Sequence, residues 1–401
     1  MSIITGYKNS SGGDIGERLV EKSYLIDRYP DLADTFRFAG LWGFGDGAIG
    51  QLGDNTIIAK SSPIQTIAGG TNWKQVSTTG TTTAAIKTDG TLWTWGSAGN
   101  GVTASGNNIS RSSPAQTIAG GTDWRQVSLN SVNGGAIKAD GTLWTWGQGY
   151  WGQLGDNTAI DKSSPVQTIA GGANWKQVSC GGTYIAAIKV DGTLWAWGNN
   201  TNGQLGDNTI VQKSSPVQTI TTDVNWKQVA CGTSHIAAIK TDGALWLWGQ
   251  NAYGQLGDNT LVRKSSPVQT IAGGTNWKQV SCGDSHTAAI KTDGTLWTWG
   301  YNNYYGQLGD NTVAHKSSPI QTISAGTNWK QVACGNSHTL AIKTDGALWA
   351  WGNNTYGQLG DNTRVHKSSP VQTIAGGTNW TQVACGDRCT FAIRDNSNDY
   401  L

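Results

Sequence analysis

Three histidines stand at one position of a recurring Cys-Gly-x-x-His step, and imidazole is a common metal ligand. They are His235, His286 and His338, while Tyr184 and Cys389 occupy the same position in two other units. A metal needs ligands that converge to about 2 Å from it. Because histidines a whole repeating unit apart are not expected to converge so closely, the sequence favours a structural role, in which each imidazole ties a strand end to a neighbouring backbone. No metal site is predicted.

A second stretch looks like a nucleotide loop. Residues 248–260 read WGQNAYGQLGDNT, and GQLGDNT occurs six times in the chain. A dinucleotide site would require the glycines to open a helix in a βαβ unit, and a Ca²⁺ site would need several acids. No helical segment follows, and each unit offers about one acid. We therefore expect the glycines to allow close backbone approach between units, with Asp, Asn and Thr bonding to local backbone.

No nucleophile, base and orienting group occur together in the sequence, so no catalytic residue, no enzyme activity and no cofactor are predicted. The units instead differ in one connection. Between the Trp-Gly pair and GQLG they read DGAI, QGYW, NNTN, QNAY, YNNYY and NNTY. Tyrosine, tryptophan, arginine and asparagine are typical of binding surfaces, although drift at exposed loop tips would give the same variation. The candidate binding residues are Tyr150, Trp151, Tyr253, Arg263, Tyr301, Tyr304, Tyr305, His315, Tyr356, Arg364 and His366.

These motifs belong to a repeat that runs through nearly the whole chain. Phe44, Trp95, Trp146, Trp197, Trp248, Trp299 and Trp351 follow one another at intervals of 51 or 52 residues. A fixed period of this size indicates a propeller or a solenoid. With 56 glycines, 21 tryptophans and one methionine, the composition favours an all-β fold.

Each unit contains short strands. The Asp-Gly pair at 293–294 separates TAAIK from TLWTW, and Asp-Gly is typical of a two-residue hairpin turn in which both positions take positive φ. This register places Ile290 opposite Trp297 and Ala288 opposite Trp299. Both faces of the hairpin are largely apolar or small, which suits a sheet packed between neighbouring sheets. WKQVSC and SSPVQTI supply two further strands.

Seven such units predict an all-β, seven-bladed β-propeller of four-stranded blades. The first repeat begins midway, at Leu41, and the last stops midway, near Asn396. Because the two halves make one complete blade, the N-terminal strand should pair with the C-terminal blade and close the ring, which removes exposed sheet edges. The predicted domains are an N-terminal extension (1–40), the propeller (41–396) and a short tail (397–401).

Charge and hydropathy exclude several partners. The formal net charge is +2 and no run of lysine and arginine occurs, which argues against nucleic-acid binding. No stretch approaches the ~20 apolar residues of a membrane span, and the first residues lack the pattern of a secretory signal. We expect no membrane insertion, and a location in the virion if the chain is phage-encoded and in the cytoplasm otherwise.

Five cysteines occupy one position of successive units, and Cys389 lies outside that series. A disulfide requires Cα atoms within about 7 Å of each other, whereas equivalent positions are separated by a whole unit. Reduced, buried thiols are therefore expected. The five are Cys180, Cys231, Cys282, Cys334 and Cys385.

The unit CGDSHTAAIKTDGTLWTWGYNNYYGQLGDN resembles the repeat of the regulator of chromosome condensation (RCC1-like) family, of the type found in bacteria and phages. The resemblance covers residues 41–396 and implies the propeller fold. Members include an exchange factor for the GTPase Ran, a plant UV-B photoreceptor, a β-lactamase inhibitor and ubiquitin-ligase modules. Here the blade wedge and basic tail of the exchange factor are missing. Strand tryptophans favour core packing over the photoreceptor's chromophore, and they are Trp93, Trp144, Trp195, Trp246, Trp297 and Trp349.

The extension does not repeat, and its spacing predicts one or two short helices before Pro30. It is interpreted as an arm that docks the propeller onto a virion or onto other copies of the chain, or else as a flap on the propeller itself. The predicted function is a non-enzymatic phage structural or adhesion protein that binds a virion component or a host surface molecule. The alternative is an intracellular scaffold or an inhibitor of a bacterial enzyme. The arm's apolar residues are Leu19, Val20, Leu25, Ile26 and Leu32.

Overall fold

The computed structural model describes residues 39–67, 72–169, 172–220, 224–323, 326–374 and 377–395. The proposed docking arm, with all five of its apolar residues, lies outside these ranges. The described residues form seven four-stranded antiparallel sheets, so the predicted seven-bladed propeller is confirmed. One short 3-10 helix, Gly99–Gly101, interrupts the strands. No helix among the described residues has the length and apolar character needed to cross a membrane.

The 28 strands fall into four sets, one for each position in the blade. The innermost strands begin at a tryptophan and are β3 (Trp73–Thr78), β7 (Trp124–Leu129), β11 (Trp175–Cys180), β15 (Trp226–Cys231), β19 (Trp277–Cys282), β23 (Trp329–Cys334) and β27 (Trp380–Cys385). The second strands end at a lysine, except in the last blade, and are β4 (Thr82–Lys87), β8 (Asn133–Lys138), β12 (Tyr184–Lys189), β16 (His235–Lys240), β20 (His286–Lys291), β24 (His338–Lys343) and β28 (Cys389–Asp395).

The third strands carry the Leu-Trp-x-Trp-Gly pattern or its variant and are β1 (Ala39–Gly45), β5 (Leu92–Gly96), β9 (Leu143–Gly147), β13 (Leu194–Gly198), β17 (Leu245–Gly249), β21 (Leu296–Gly300) and β25 (Leu348–Gly352). The outermost strands contain the proline, at the sheet edge where no ladder bond is lost. They are β2 (Lys60–Gln65), β6 (Arg111–Gln116), β10 (Lys162–Gln167), β14 (Lys213–Gln218), β18 (Lys264–Gln269), β22 (Lys316–Gln321) and β26 (Lys367–Gln372).

The ring closes as predicted. The last sheet has the order β2-β1-β28-β27, so it combines the N-terminal and C-terminal strands. β1 and β28 pair along their whole length, from Ala39 opposite Asp395 to Gly45 opposite Cys389. The closing strand thus includes Ala39 and Gly40, which the sequence pattern placed in the extension.

The predicted hairpin register is wrong by one residue. Ile290 lies opposite Leu296, and Trp297 lies opposite Ala289. Gly294 takes a φ of +80° and donates its N–H to Lys291 O, while Lys291 N–H donates to Thr295 O. This is a type I turn followed by a glycine bulge, a three-residue loop. The extra residue moves every side chain of one strand to the opposite face.

Within the described part of the chain, the hydrophobic core consists of seven separate clusters, each between two neighbouring blades. The expectation of sheets packed on both faces is therefore confirmed. One cluster joins Ile290 and Leu296 of one blade to Trp329, Val332 and Trp351 of the next. Burial of apolar surface is worth about 25 cal/mol per Å². Each blade is therefore stabilised mainly through its neighbours, which makes closure of the ring important for the first and last blades.

The GQLGDNT loop has the structural role predicted for it. Gly257 takes a φ of +65°, and a Cβ there would lie 2.8 Å from Nε1 of Trp299 in the next blade. The same indole N–H donates to Gln255 O at 2.9 Å. Asn259 N–H donates to Ser317 O, also in the next blade, and Asp258 accepts from Thr260 N–H. The loop therefore ties adjacent blades together.

Candidate binding face

Strand direction sorts the connections onto two faces of the disc. Because successive strands of a blade are antiparallel, the turn between the first and second strands and the loop between the third and fourth strands lie at the same end of the blade. We call this end the cleft face. The Asp-Gly turns lie at the other end, which we call the hairpin face. All eleven predicted binding residues belong to loops of the cleft face or to the ends of those loops.

A cleft of about 550 Å³ lies on the cleft face. Its tyrosines come from three consecutive blades: Tyr253 follows β17, Tyr301 and Tyr305 follow β21, and Tyr356 follows β25. Tyr253 and Tyr301 meet edge to face at 4.8 Å between ring centroids. We call this the aromatic cleft. Its inner side is formed by Asp284, Ser285, Asn336, Ser337, Asp387 and Arg388, which belong to the turns after the innermost strands.

Two of the predicted binding residues, His315 and His366, pack against tyrosines of the aromatic cleft. Nδ1 of His315 accepts the N–H of Asn302 at 3.0 Å, and its ring stacks on Tyr301 at 4.8 Å. Nδ1 of His366 accepts the N–H of Asn354 at 3.0 Å, and its ring meets Tyr305. Partial burial lowers the pKa of both imidazoles. This favours the neutral form, the only one in which Nδ1 can accept a hydrogen bond.

The position of these histidines supplies an acceptor in two further blades. In another blade Asp161 accepts the equivalent N–H, from Gly149, at 2.9 Å. The hydroxyl of Ser110 accepts the N–H of Ala98 in the blade that lacks GQLGDN. The residue before the outermost strand therefore holds the start of the loop in four blades, whereas Ala59 and Arg263 have no side-chain acceptor at the same position.

Other predicted residues lie outside the aromatic cleft. Tyr150 and Trp151 pack edge to face at 5.1 Å on another blade. Arg263 donates to Thr201 O at 3.1 Å, and Arg364 is exposed. Tyr304 is 70% exposed and packs on Tyr305 at 5.0 Å. The eleven predicted residues therefore do not form one site.

Sequence reasoning missed the inner side of the cleft. Asp284, Asn336 and Asp387 are equivalent residues, each directly after the Cys-Gly pair. The same position holds Gly80, Ser131, Gly182 and Thr233 in the remaining blades. This variation was visible in the repeat, but only the ring places these residues beside the tyrosines.

The histidines of the Cys-Gly-x-x-His step link neighbouring blades. His235, His286 and His338 are fully buried, and their Nε2 atoms lie 3.0–3.1 Å from the hydroxyls of the next blade. Their predicted structural role is therefore supported, although the partner is a threonine side chain and not a backbone group. Burial lowers the pKa of each imidazole to about 3. The partner threonines are Thr287, Thr339 and Thr390.

The six cysteines are free thiols and are buried or half-buried. Burial raises the pKa of Cys231, Cys334 and Cys389 to about 12. Because thiolates are the reactive species, these thiols are inert at neutral pH. The expectation of reduced thiols that pack as small hydrophobic groups agrees with this arrangement.

The hairpin face carries a repeated cation and tryptophan motif. The ammonium of Lys291 lies 4.9 Å from the ring of Trp277 and 4.5 Å from that of Trp297. The same arrangement occurs in five other blades, and Arg394 lies over Trp380 in the seventh. Such contacts are worth about 0.5–1 kcal/mol at exposed sites. They cover the half-buried strand tryptophans.

Comparison with known proteins agrees with this architecture. The ultraviolet-B receptor UVR8 of Arabidopsis thaliana is 32% identical over 318 residues, which span 76% of this chain and 70% of the receptor. The E3 ubiquitin-protein ligase HERC2 of Mus musculus is 29% identical over 77% of this chain, but the match spans only 7% of that ligase. The crystal structure of human WBSCR16 superposes with a TM-score of 0.80 at 20% identity, over 90% of this chain and 99% of that one.

These relatives confirm the family resemblance. Because all three are eukaryotic, the restriction to a bacterial or phage type has no support. The profile of the RCC1-like domain matches residues 126–401. That range includes every residue of the aromatic cleft. The chain belongs to the RCC1-like propeller family.

Proposed function

We propose that this chain is a non-enzymatic protein-binding module that binds its partner through the aromatic cleft. The observation that carries the proposal is the convergence of Tyr253, Tyr301, Tyr305 and Tyr356 from three blades on one cleft of about 550 Å³. Tyrosine supplies large, rigid contact area together with a hydroxyl that forms hydrogen bonds. Tyrosine is also enriched among the residues that dominate binding energy at protein interfaces.

The surrounding fold supports this role. The rings of Tyr301 and Tyr305 contact His315 and His366, whose hydrogen bonds fix the start of the loops after β21 and β25. A binding surface that is ordered before the partner arrives loses less conformational entropy on association. The blades that carry the loops are stabilised by core clusters that neighbouring blades share. The loops can therefore vary without loss of the fold.

The experiment compares two sets of tyrosine substitutions. Partners captured from an extract of the source cells are identified by mass spectrometry, purified, and titrated into the wild-type protein by calorimetry. Tyr301→Ala combined with Tyr305→Ala should weaken binding at least about tenfold, as expected for buried interface tyrosines. Tyr150→Ala is the control, because it removes a tyrosine of the same face that lies outside the cleft and is more exposed than Tyr301 and Tyr305.

Equal affinity of the double variant and the wild type for the purified partner would refute the proposal. Thermal unfolding of each variant establishes that the propeller is intact. Tyr301 and Tyr305 lie in a loop and not in a core cluster, so unfolding should change little.

The finer assignments stay predictions. A phage virion or adhesion role depended on the N-terminal extension, which lies outside the described residues, and no relative reported above is a phage protein. The same applies to the virion as a location. The name of the plant relative suggests ultraviolet perception, and the resemblance to the Ran exchange factor suggests nucleotide exchange. Neither is favoured by a specific feature of the aromatic cleft.

A further inference from the structure

Two cavities meet at the centre of the cleft face. The aromatic cleft is one of them, and the mouth of the central channel, a cavity of about 110 Å³, is the other. Both are lined by Asp284, Asn336 and Asp387. A volume of about 110 Å³ is comparable to that of a single side chain and too small for a folded element. A partner that occupies the cleft can therefore extend one side chain into the mouth.

The two carboxylates at this junction differ from the five loop aspartates of the face that pair with a lysine. Asp258 and Asp310 of the loops lie 3.7 and 3.5 Å from lysine ammonium groups. Among the described residues, neither Asp284 nor Asp387 forms such an ion pair. Oδ2 of Asp387 has one hydrogen-bond contact, with the hydroxyl of Ser131 at 3.5 Å.

The environment of Asp387 is unfavourable for its charge. Burial raises the pKa of this carboxyl, and the charge of Asp284 raises it further. Arg388 acts in the opposite direction, but its guanidinium lies over the ring of Tyr356 at 5.2 Å. The junction therefore carries two carboxylates against one guanidinium. A cation placed between the carboxylates would reduce their repulsion.

The carboxylates are confined to the side of the ring that holds the tyrosines. The equivalent residues elsewhere are the uncharged Gly80, Ser131, Gly182 and Thr233. Carboxylates and aromatic rings share one preference, since both attract cations. Neighbouring blades thus place carboxylates and tyrosine rings, both of which favour cations, at one site.

We propose that the channel mouth binds a lysine or arginine side chain of the partner, held by Asp284 and Asp387, while the adjoining part of the partner chain lies across the tyrosines of the aromatic cleft. This inference rests on the proposed function, because it names the chemistry of the partner at the same site. The cation forms charge-assisted hydrogen bonds with the carboxylates, and its stem passes over Tyr301 and Tyr305. An extended, basic segment is the partner that fits this shape and charge.

The test uses a displayed library of random peptides selected on the intact chain. Peptides selected on the wild type should be enriched in lysine and arginine. A labelled selected peptide should then bind at least about tenfold more weakly when its basic residue is replaced by glutamine or when Asp284→Asn and Asp387→Asn are combined, as for other buried charge pairs. Asp140→Asn combined with Asp191→Asn is the matched control, because this pair makes the same change of charge on the exposed hairpin face.

The outcomes separate this inference from the proposed function. If selected peptides lose binding in the Tyr301→Ala and Tyr305→Ala variant but show no enrichment in basic residues and bind the Asp284→Asn and Asp387→Asn variant normally, the basic side chain is refuted and the binding site stands. If binding is insensitive to both pairs of substitutions, both proposals fail. If the glutamine peptide binds as tightly as its basic parent, the basic side chain is again refuted. Thermal unfolding of the asparagine variant checks that the ring is intact.

Discussion

Closure of the ring can be tested through a pair of residues found only in the closing blade. Gly43 lies opposite Phe391 across β1 and β28. In two other blades the equivalent pairs are Thr298 with Ala288 and Thr94 with Ala84. The closing blade thus pairs the largest side chain with none at all, and the two residues come from opposite ends of the chain.

The size of the effect follows from the packing. A Cβ at residue 43 would lie 2.8 Å from Cε1 of Phe391, so Gly43→Thr should destabilise the protein by about 1–3 kcal/mol, as overpacked cores do. Phe391 is fully buried and meets Trp95 of the next blade at 5.9 Å. Phe391→Ala should therefore destabilise it by about 3–5 kcal/mol. The double variant recreates the Thr–Ala pair of these two blades, and the threonine can donate to Leu52 O as Thr298 does to Leu308 O at 2.6 Å.

The assay is urea unfolding followed by tryptophan fluorescence and circular dichroism. We expect the double variant to be more stable than the sum of the single effects by about 2 kcal/mol, a coupling typical of residues in contact. The matched control introduces Thr298→Gly and Ala288→Phe into a blade formed by one continuous segment. Additive effects of Gly43→Thr and Phe391→Ala would refute the inference that this pair packs together across the closure.

Two further predictions concern stability. Trp246 has a buried indole N–H with no hydrogen-bond partner among the described residues, whereas Trp297 donates to the hydroxyl of Thr295 at 2.9 Å. Ala244→Thr should supply the missing acceptor and stabilise the protein by about 1 kcal/mol. Urea midpoints measure this, and an equal gain from Ala244→Val would show that the hydroxyl is not responsible. Each buried histidine has a pKa of about 3 in the folded protein, which is below its pKa in the unfolded protein. As the pH falls, the unfolded state therefore binds protons first. The free energy of unfolding should have its full value above about pH 6.5. As the pH falls from about 6.5 to 3, it should decrease by about 1.4 kcal/mol per pH unit for each histidine. Urea midpoints at pH 7 and 5 test this; His286→Asn should reduce the dependence, and identical midpoints for the wild type would contradict it.

Much of the fold could be predicted from the repeat alone. The spacing of Phe44, Trp95 and their equivalents determines the number of blades, because each unit carries its own apolar strands and turn signals. The half-repeats at the two ends determine how the ring closes, since each half leaves an unpaired sheet edge. The hairpin register could not be obtained in this way. Asp293-Gly294 is compatible with a two-residue turn or with a type I turn and bulge, and strand pairing decides between them.

The candidate site, too, could be predicted only in part from the sequence. The sequence identified the variable loops, and therefore Tyr253, Tyr301, Tyr305 and Tyr356, because these residues depart from a strict repeat. It did not identify Asp284 and Asp387, which stand about two units apart in the chain. Composition and spacing therefore determined the strands, the blade count and the variable surface, since these depend on local propensity and on periodic burial. The tertiary structure decided which variable residues share a cleft, because their proximity depends on how the closed ring arranges blades that are distant in sequence.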